Sequence, residues 1–172
     1  MPRLFVATWP PAHVVEALGR LIRPASAGVR WTTPDQWHVT LRFLGSVVDV
    51  DAVVEAVTSV AVAVEPVEAR LGPVTDRLGR TILVVPVAGL DGLGASVIAA
   101  TSALGSPPED RPFLGHVTVA RSKRRLPSSV VGVPIEASWT VTELAVVASD
   151  TRPEGARYTD VARVRLRGTA SS

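Results

Sequence analysis

With 172 residues, 47% apolar and 20% charged, the chain has the composition of one folded domain and not of a disordered segment. Net charge is only +2, and the absence of cysteine excludes disulfides, thiolate metal sites and a cysteine nucleophile. The opening MPRLFVATWPPAH lacks the layout of a secretory signal, and no apolar run reaches the roughly 18–20 residues that span a bilayer, so a cytoplasmic protein without membrane contact is expected.

Arg3 to Thr8 (RLFVAT) is rich in β-formers and predicts a strand. Pro10-Pro11 suits a helix start, because proline lacks a donor that the first turn cannot use, and Val14, Leu18, Leu21 and Ile22 follow at helical spacing. Val29 to Thr32 and Gln36 to Leu44 read as extended, separated by a turn at Pro34-Asp35. Asp49 or Asp51 can cap a helix running to about Val64. Strands over Val67 to Leu71 and Thr81 to Val87 come next, then a helix over Leu90 to Leu104 and a loop at Ser106-Pro107-Pro108. The remainder reads as a strand over Gly115 to Ala120, a short turn or helix near Pro127 to Val131, and strands near Ile135 to Val141, Leu144 to Ser149 and Tyr158 to Leu166. A frayed tail, Thr169 to Ser172, closes the chain.

Two runs echo each other. His38 to Phe43 reads HVTLRF and His116 to Arg121 reads HVTVAR; the chain has 3 histidines, and two of them open these runs. The third, His13, reads as an ordinary surface or packing residue. The runs lie a little under half the chain apart, which is too far for a solenoid repeat and fits two copies of an α+β lobe packed around one cleft. Side chains alternate along a strand, so His38, Thr40 and Arg42 should share one face and Val39, Leu41 and Phe43 the other, which belongs to the core. His116 and Thr118 repeat that parity, with Val117 and Val119 facing inward.

If the polar faces of the two strands meet, two imidazoles and two hydroxyls surround one point. That set suits phosphodiester hydrolysis: one histidine takes a proton from water, and the other gives one to the leaving oxygen. Thr40 and Thr118 can donate hydrogen bonds to the non-bridging phosphate oxygens. The scheme requires no metal and no other cofactor. Two unrelated sheet histidines, each satisfied locally, would be the plainer reading, but the repeated parity counts against it. A metal site from the two histidines with Asp35 or Asp110 is weaker still, since neither histidine has a close third ligand in sequence. Arg121, Lys123, Arg124 and Arg125 form a basic cluster just after the second run, which would attract a phosphate-bearing partner or simply be a solvated loop.

These motifs resemble the 2H phosphoesterase superfamily, and within it the RNA 2′,3′-cyclic phosphodiesterase branch, also called the 2′-5′ RNA ligase family. The resemblance rests on Arg3 to Ala7 with Pro10-Pro11, on Val29-Arg30-Trp31, and on Trp37 to Gly45 as HxTLxFLG. It extends to Arg111-Pro112-Phe113 with His116 to Arg121, and to Ser149 followed by Gly155 and Tyr158. It implies a single bilobed domain over residues 1–172, an α+β pseudo-two-fold duplication with two antiparallel sheets facing a central cleft and helices outside. It also implies hydrolysis of RNA 2′,3′-cyclic phosphate ends, or of cyclic nucleotides, to 2′-phosphates. On that analogy His116 is the base and His38 the acid, Arg121 adds a charge-assisted contact, and Phe43 stacks on the terminal base. Phe43 and Arg121 both stand an odd number of positions after their histidine, so a straight strand would turn them away from the cleft. The family commonly has proline before the second histidine; here it is Gly115, expected to loosen His116 with a modest effect on rate. The same site could instead join RNA ends through a 2′-5′ linkage, or only bind nucleotide or RNA without turnover. A monomer is the default.

Overall fold

Strands dominate the described residues, and α-helices interrupt them three times. The structure, a computed structural model, describes residues 1–168; the expected frayed tail lies outside the described residues. In order come β1 (Arg3–Thr8), α1 (Ala12–Gly19), β2 (Val29–Trp31), β3 (Val39–Ser46), α2 (Val50–Ala63), β4 (Val67–Leu71), β5 (Asp76–Leu78) and β6 (Ile82–Ala88). Then follow α3 (Asp91–Ala100), β7 (His116–Ser122), β8 (Ala137–Val141), β9 (Glu143–Arg152) and β10 (Gly155–Arg165). Short 3-10 turns occupy Pro34–Gln36 and Ser128–Val130.

The strands join in the order β10-β9-β1-β3-β7-β6-β4-β8, with β2 beside β7 and β5 beside β6. Every pairing is antiparallel. Where two separate sheets are expected, one continuous path is found, because β3 and β7 touch at one pair, Val39 with Val117. The strands carrying the two His-x-Thr runs are therefore neighbours at the middle of the sheet.

Helix α2 starts where Asp49 accepts a hydrogen bond from the Ala52 amide at 3.0 Å, and it buries Val53, Val57, Val60 and Ala61 along one face. It packs with α3 against β3, β9 and β10, while α1 packs on β8. Burying each of these aliphatic side chains is worth about 1.5–3 kcal/mol. The main core gathers Leu4, Val6, Leu41, Leu44, Val117 and Val119 among others. A second, smaller cluster lies on the opposite face of β1 and β9: Phe5, Ala7, Ala145 and Val147, with Trp9 and Tyr158 against it. That second face is the floor of the cleft. Among the described residues no helix is long and apolar enough to cross a membrane.

Candidate active site

Strand pairing brings the two motifs together. Val39 lies opposite Val117, so continuing that antiparallel register by one residue each way sets His38 across from Thr118 and Thr40 across from His116. The two histidines are then diagonal neighbours, positions whose Cα atoms stand roughly 7–8 Å apart in an antiparallel pair. His38, Thr40, His116 and Thr118 all line a single cavity of about 400 Å³. Phe43 and Arg121 line it too, despite their odd offsets.

Bulges account for that parity. On β3, Thr40 pairs with Ala7 and Arg42 with Val6, so Leu41 is passed over by β1. On β7, Thr118 pairs with Val84 and Ala120 with Leu83, so Val119 is passed over by β6. An extra residue reverses the alternation beyond it. Phe43 therefore emerges 47% exposed at the cleft and not in the core. Arg42, expected beside His38, is corrected to the inner side. It is only 5% exposed, and its guanidinium donates to the carbonyls of Phe43, Leu104 and Ser106.

Both imidazoles are held in the same way. His38 Nδ1 lies 2.8 Å from the Gln36 carbonyl, and His116 Nδ1 lies 2.7 Å from the Leu114 carbonyl, in each case two residues back. A carbonyl only accepts, so each Nδ1 carries a proton and each Nε2 is left for the cleft. In His38, Nε2 accepts from the Thr40 hydroxyl at 3.0 Å. Gln36 also accepts from the Thr33 amide at 3.2 Å and donates to the Ala156 carbonyl at 3.0 Å, which ties the 3-10 turn beneath His38 to the β9–β10 hairpin.

The apolar floor sets the charge of His38. Phe5 lies against its ring at 4.8 Å, Tyr158 edge-on at 5.1 Å and Trp9 at 5.5 Å. Burial pushes the imidazole down to about 4; the Gln36 carbonyl opposes this, and the charges of His116 and Arg121 add to it. Burial likewise raises the Tyr158 phenol above its ordinary value, so its hydroxyl stays protonated.

Two arginines flank the cavity. Arg30 of β2 is the register partner of Arg121 of β7, and both line the pocket. Like charges directly opposite destabilise a strand pair unless an anion lies between them. Arg30 donates to the Glu154 carbonyl at 2.6 Å. Among the described residues no carboxylate pairs with Arg121. The hairpin beyond closes tightly: a Cβ on Gly155, at φ +124°, would stand 1.9 Å from Arg30 Nη2.

Gly115 does not loosen the second motif. It is buried, its carbonyl accepts from the Val87 amide at 2.9 Å, and a Cβ there would meet the Val87 oxygen at 2.5 Å. The strand is clamped where looseness is expected. His13 stands outside the cavity and donates through Nε2 to the Ser138 carbonyl at 2.8 Å. For the metal reading, no group of three His, Cys, Asp or Glu side chains among the described residues is placed to hold an ion, and Asp35 accepts from the Thr33 hydroxyl.

Sequence reasoning missed Phe5, Arg30, Thr32 and Gln36 as wall residues. β1 is apolar on both faces, so nothing marked Phe5 as the one facing the site. Ser149, Gly155 and Tyr158, which form the closing signature of the family resemblance, also line the cavity. A second cavity of about 570 Å³ adjoins the first, shares Thr40, Phe43 and His116 with it, and is walled by Pro107, Pro112 and Phe113 among others.

A profile of the 2′-5′ RNA ligase superfamily matches residues 10–153. A Thermus thermophilus protein named RNA 2′,3′-cyclic phosphodiesterase is 35% identical over 83 residues, which span 45% of this chain and 40% of that protein. A crystal structure of TT0787, also from Thermus thermophilus, superimposes with TM-score 0.84 at 29% identity, covering 98% of this chain and 100% of that one. E. coli LigT complexed with 3′-AMP shares the fold at TM-score 0.71 and 24% identity, covering 96% and 98% of the two chains. The chain belongs to the 2′-5′ RNA ligase superfamily, the 2H phosphoesterases.

Proposed function

We propose that this protein hydrolyses the 2′,3′-cyclic phosphate at an RNA end to a 2′-phosphate, with His38 and His116 as its base and acid. One observation carries the reading: two imidazoles, each tethered through Nδ1, offer Nε2 to one cavity beside two threonine hydroxyls and two arginines. The curated Thermus relative carries the name of that activity, and the LigT structure holds 3′-AMP.

In the reaction a water oxygen attacks phosphorus and the P–O3′ bond breaks. The water proton passes to Nε2 of one histidine, and the other histidine protonates O3′. Burial keeps His38 of the free protein neutral at pH 7, so His38 is the proposed base and His116 the proposed acid. This reverses the roles that the family resemblance implies. The Thr40 hydroxyl, which is hydrogen-bonded to His38 Nε2, turns to a phosphate oxygen on substrate binding and frees the nitrogen. Thr118 and Arg121 take the remaining non-bridging charge, and the terminal base stacks on Phe43. Both proton transfers are supplied by the histidines, so no step is left for a metal.

We further infer that the halves are related by an approximate two-fold through Val39 and Val117. Matching Nδ1 tethers and matching bulges support it.

The test is product analysis on a 2′,3′-cyclic mononucleotide, with and without chelator. The expected product is the 2′-monophosphate at an unchanged rate. The 3′-monophosphate, or a rate lost on chelation, would reject the scheme. The superfamily's description also favours a second nucleophile: an RNA 5′-hydroxyl takes the place of water, the P–O3′ bond still breaks, and a 2′-5′ linkage forms.

A further inference from the structure

Beyond Arg121 the sheet carries positive charge past the limits of the phosphate cavity. Strand β7 ends at Ser122, and Lys123, Arg124 and Arg125 follow in an exposed turn. That turn is fixed in place. The Arg124 amide donates to the Ser122 hydroxyl at 3.2 Å, the Ser122 amide to the Thr81 carbonyl at 2.8 Å, and the Leu126 amide to the Arg80 carbonyl at 2.9 Å. Arg80, itself exposed, thus sits beside the turn from the β5–β6 side. On the other side β2 places Arg30 opposite Arg121 and Val29 opposite Ser122. Six basic residues thus gather around the end of β7 as a band: Arg30 and Arg121 at the pocket, and Arg80, Lys123, Arg124 and Arg125 on the segments beyond it.

No carboxylate among the described residues forms an ion pair with the band. The ion pairs there join Arg111 to Glu109, Arg152 to Asp150, and Arg163 to Glu143 and Asp160; none involves the band. With a net charge of +2, the chain places a third of its 18 basic residues here. Fixed cations left unpaired in one strip repel each other, and a polyanion laid along the strip relieves that repulsion while releasing its own counterions. A cyclic mononucleotide carries one phosphate, which His38, His116 and the threonines already occupy. It gives the outer cations nothing to bind.

We propose that the band is the track for the 5′-ward phosphates of a single RNA strand whose cyclic-phosphate end lies between the histidines, so that the preferred substrate is an oligonucleotide and not a mononucleotide. This inference rests on the phosphodiesterase reading and deepens it by adding where the strand leaves the pocket. Strand β7 ends at Ser122 and Lys123, Arg124 and Arg125 follow in the turn, so these cations and Arg80 stand outside the lining of the phosphate cavity.

The experiment compares the wild type with a K123A/R124A/R125A variant on two substrates, a 2′,3′-cyclic mononucleotide and a short RNA oligomer ending in the same cyclic phosphate, across a salt series. The wild type should show a steeper salt dependence on the oligomer. In the variant, kcat/KM for the oligomer should fall about tenfold at low salt, and its log–log salt slope should flatten by about 2, near 0.7 for each lost single-strand phosphate contact. The mononucleotide rate should stay within about twofold. A K123E/R124E/R125E variant should deepen the oligomer defect alone. Equal losses on both substrates, or an oligomer rate that does not move, overturn the track. A wild type inactive on both substrates overturns the phosphodiesterase reading itself, and the track with it.

Discussion

Leu41 and Val119 occupy the same place in the two motifs: each stands three residues after its histidine, and each is the residue its neighbouring strand passes over. The consequence is shared. His38 and Thr40, and then Phe43 beyond the bulge, face the cleft, and so do His116, Thr118 and Arg121. One half ends its motif in an aromatic ring and the other in a guanidinium. An aromatic ring from one half and a guanidinium from the other thus line the same cavity.

Because the Val119 bulge turns Arg121 inward, Arg121→Gln should lower kcat/KM for a cyclic phosphate about 10- to 100-fold, as the loss of a hydrogen bond to a charged group does. Arg121→Lys should recover part of it. An Arg121→Gln enzyme with unchanged kcat/KM would remove Arg121 from the site.

The aromatic floor under His38 has consequences in pH. With its pKa held down to about 4, His38 stays uncharged far below neutral pH, and in the proposed role of base it stays available there. The acid limb of kcat/KM should fall near pH 4, and an NMR titration of the His38 ring should give the same midpoint. A midpoint near the ordinary 6.5 would contradict the burial argument. The sign for stability follows from the same shift. The folded state keeps His38 neutral while the unfolded chain takes up a proton below about 6.5, so this contribution is complete above that pH and is lost as pH falls toward 4. Its size is roughly 3 kcal/mol, and His38→Phe should flatten that part of the stability curve.

Gly155 joins the β9–β10 hairpin to the arginine wall. A Cβ at its φ of +124° would collide with Arg30 Nη2, so Gly155→Ala should cost more than about 1 kcal/mol, or about 2–4 °C in Tm for a chain of this size. It should also raise KM as Arg30 is displaced. Unchanged melting and KM would mean that the hairpin does not seat on Arg30.

The regular strands were legible because their alternation is local: β1 and β4 lie where RLFVAT and VEARL place them. Other features were decided by neighbours. Parity along HVTLRF depends on β1 skipping Leu41, and no residue type in the run announces a bulge. Strand β5 has a single apolar residue, Leu78, and exists because it pairs with β6. The hairpin from Ser149 to Tyr158 is mostly polar, so its pairing could not be read from periodicity, yet it closes the cavity through Arg30 and Gln36. Helix α1 stops at Gly19 and leaves Ile22 69% exposed, although its spacing continues the pattern. The histidines and threonines were legible as a set because the motif appears twice, and repetition is information that one strand alone does not carry.

The central claim is that two imidazoles, one from each half, share one reaction. Steady-state turnover of a 2′,3′-cyclic mononucleotide by His38→Ala and by His116→Ala measures it most directly. Each variant should lose a factor of about 10²–10⁴ in kcat while melting as a folded protein. Wild-type turnover in either variant would contradict the account.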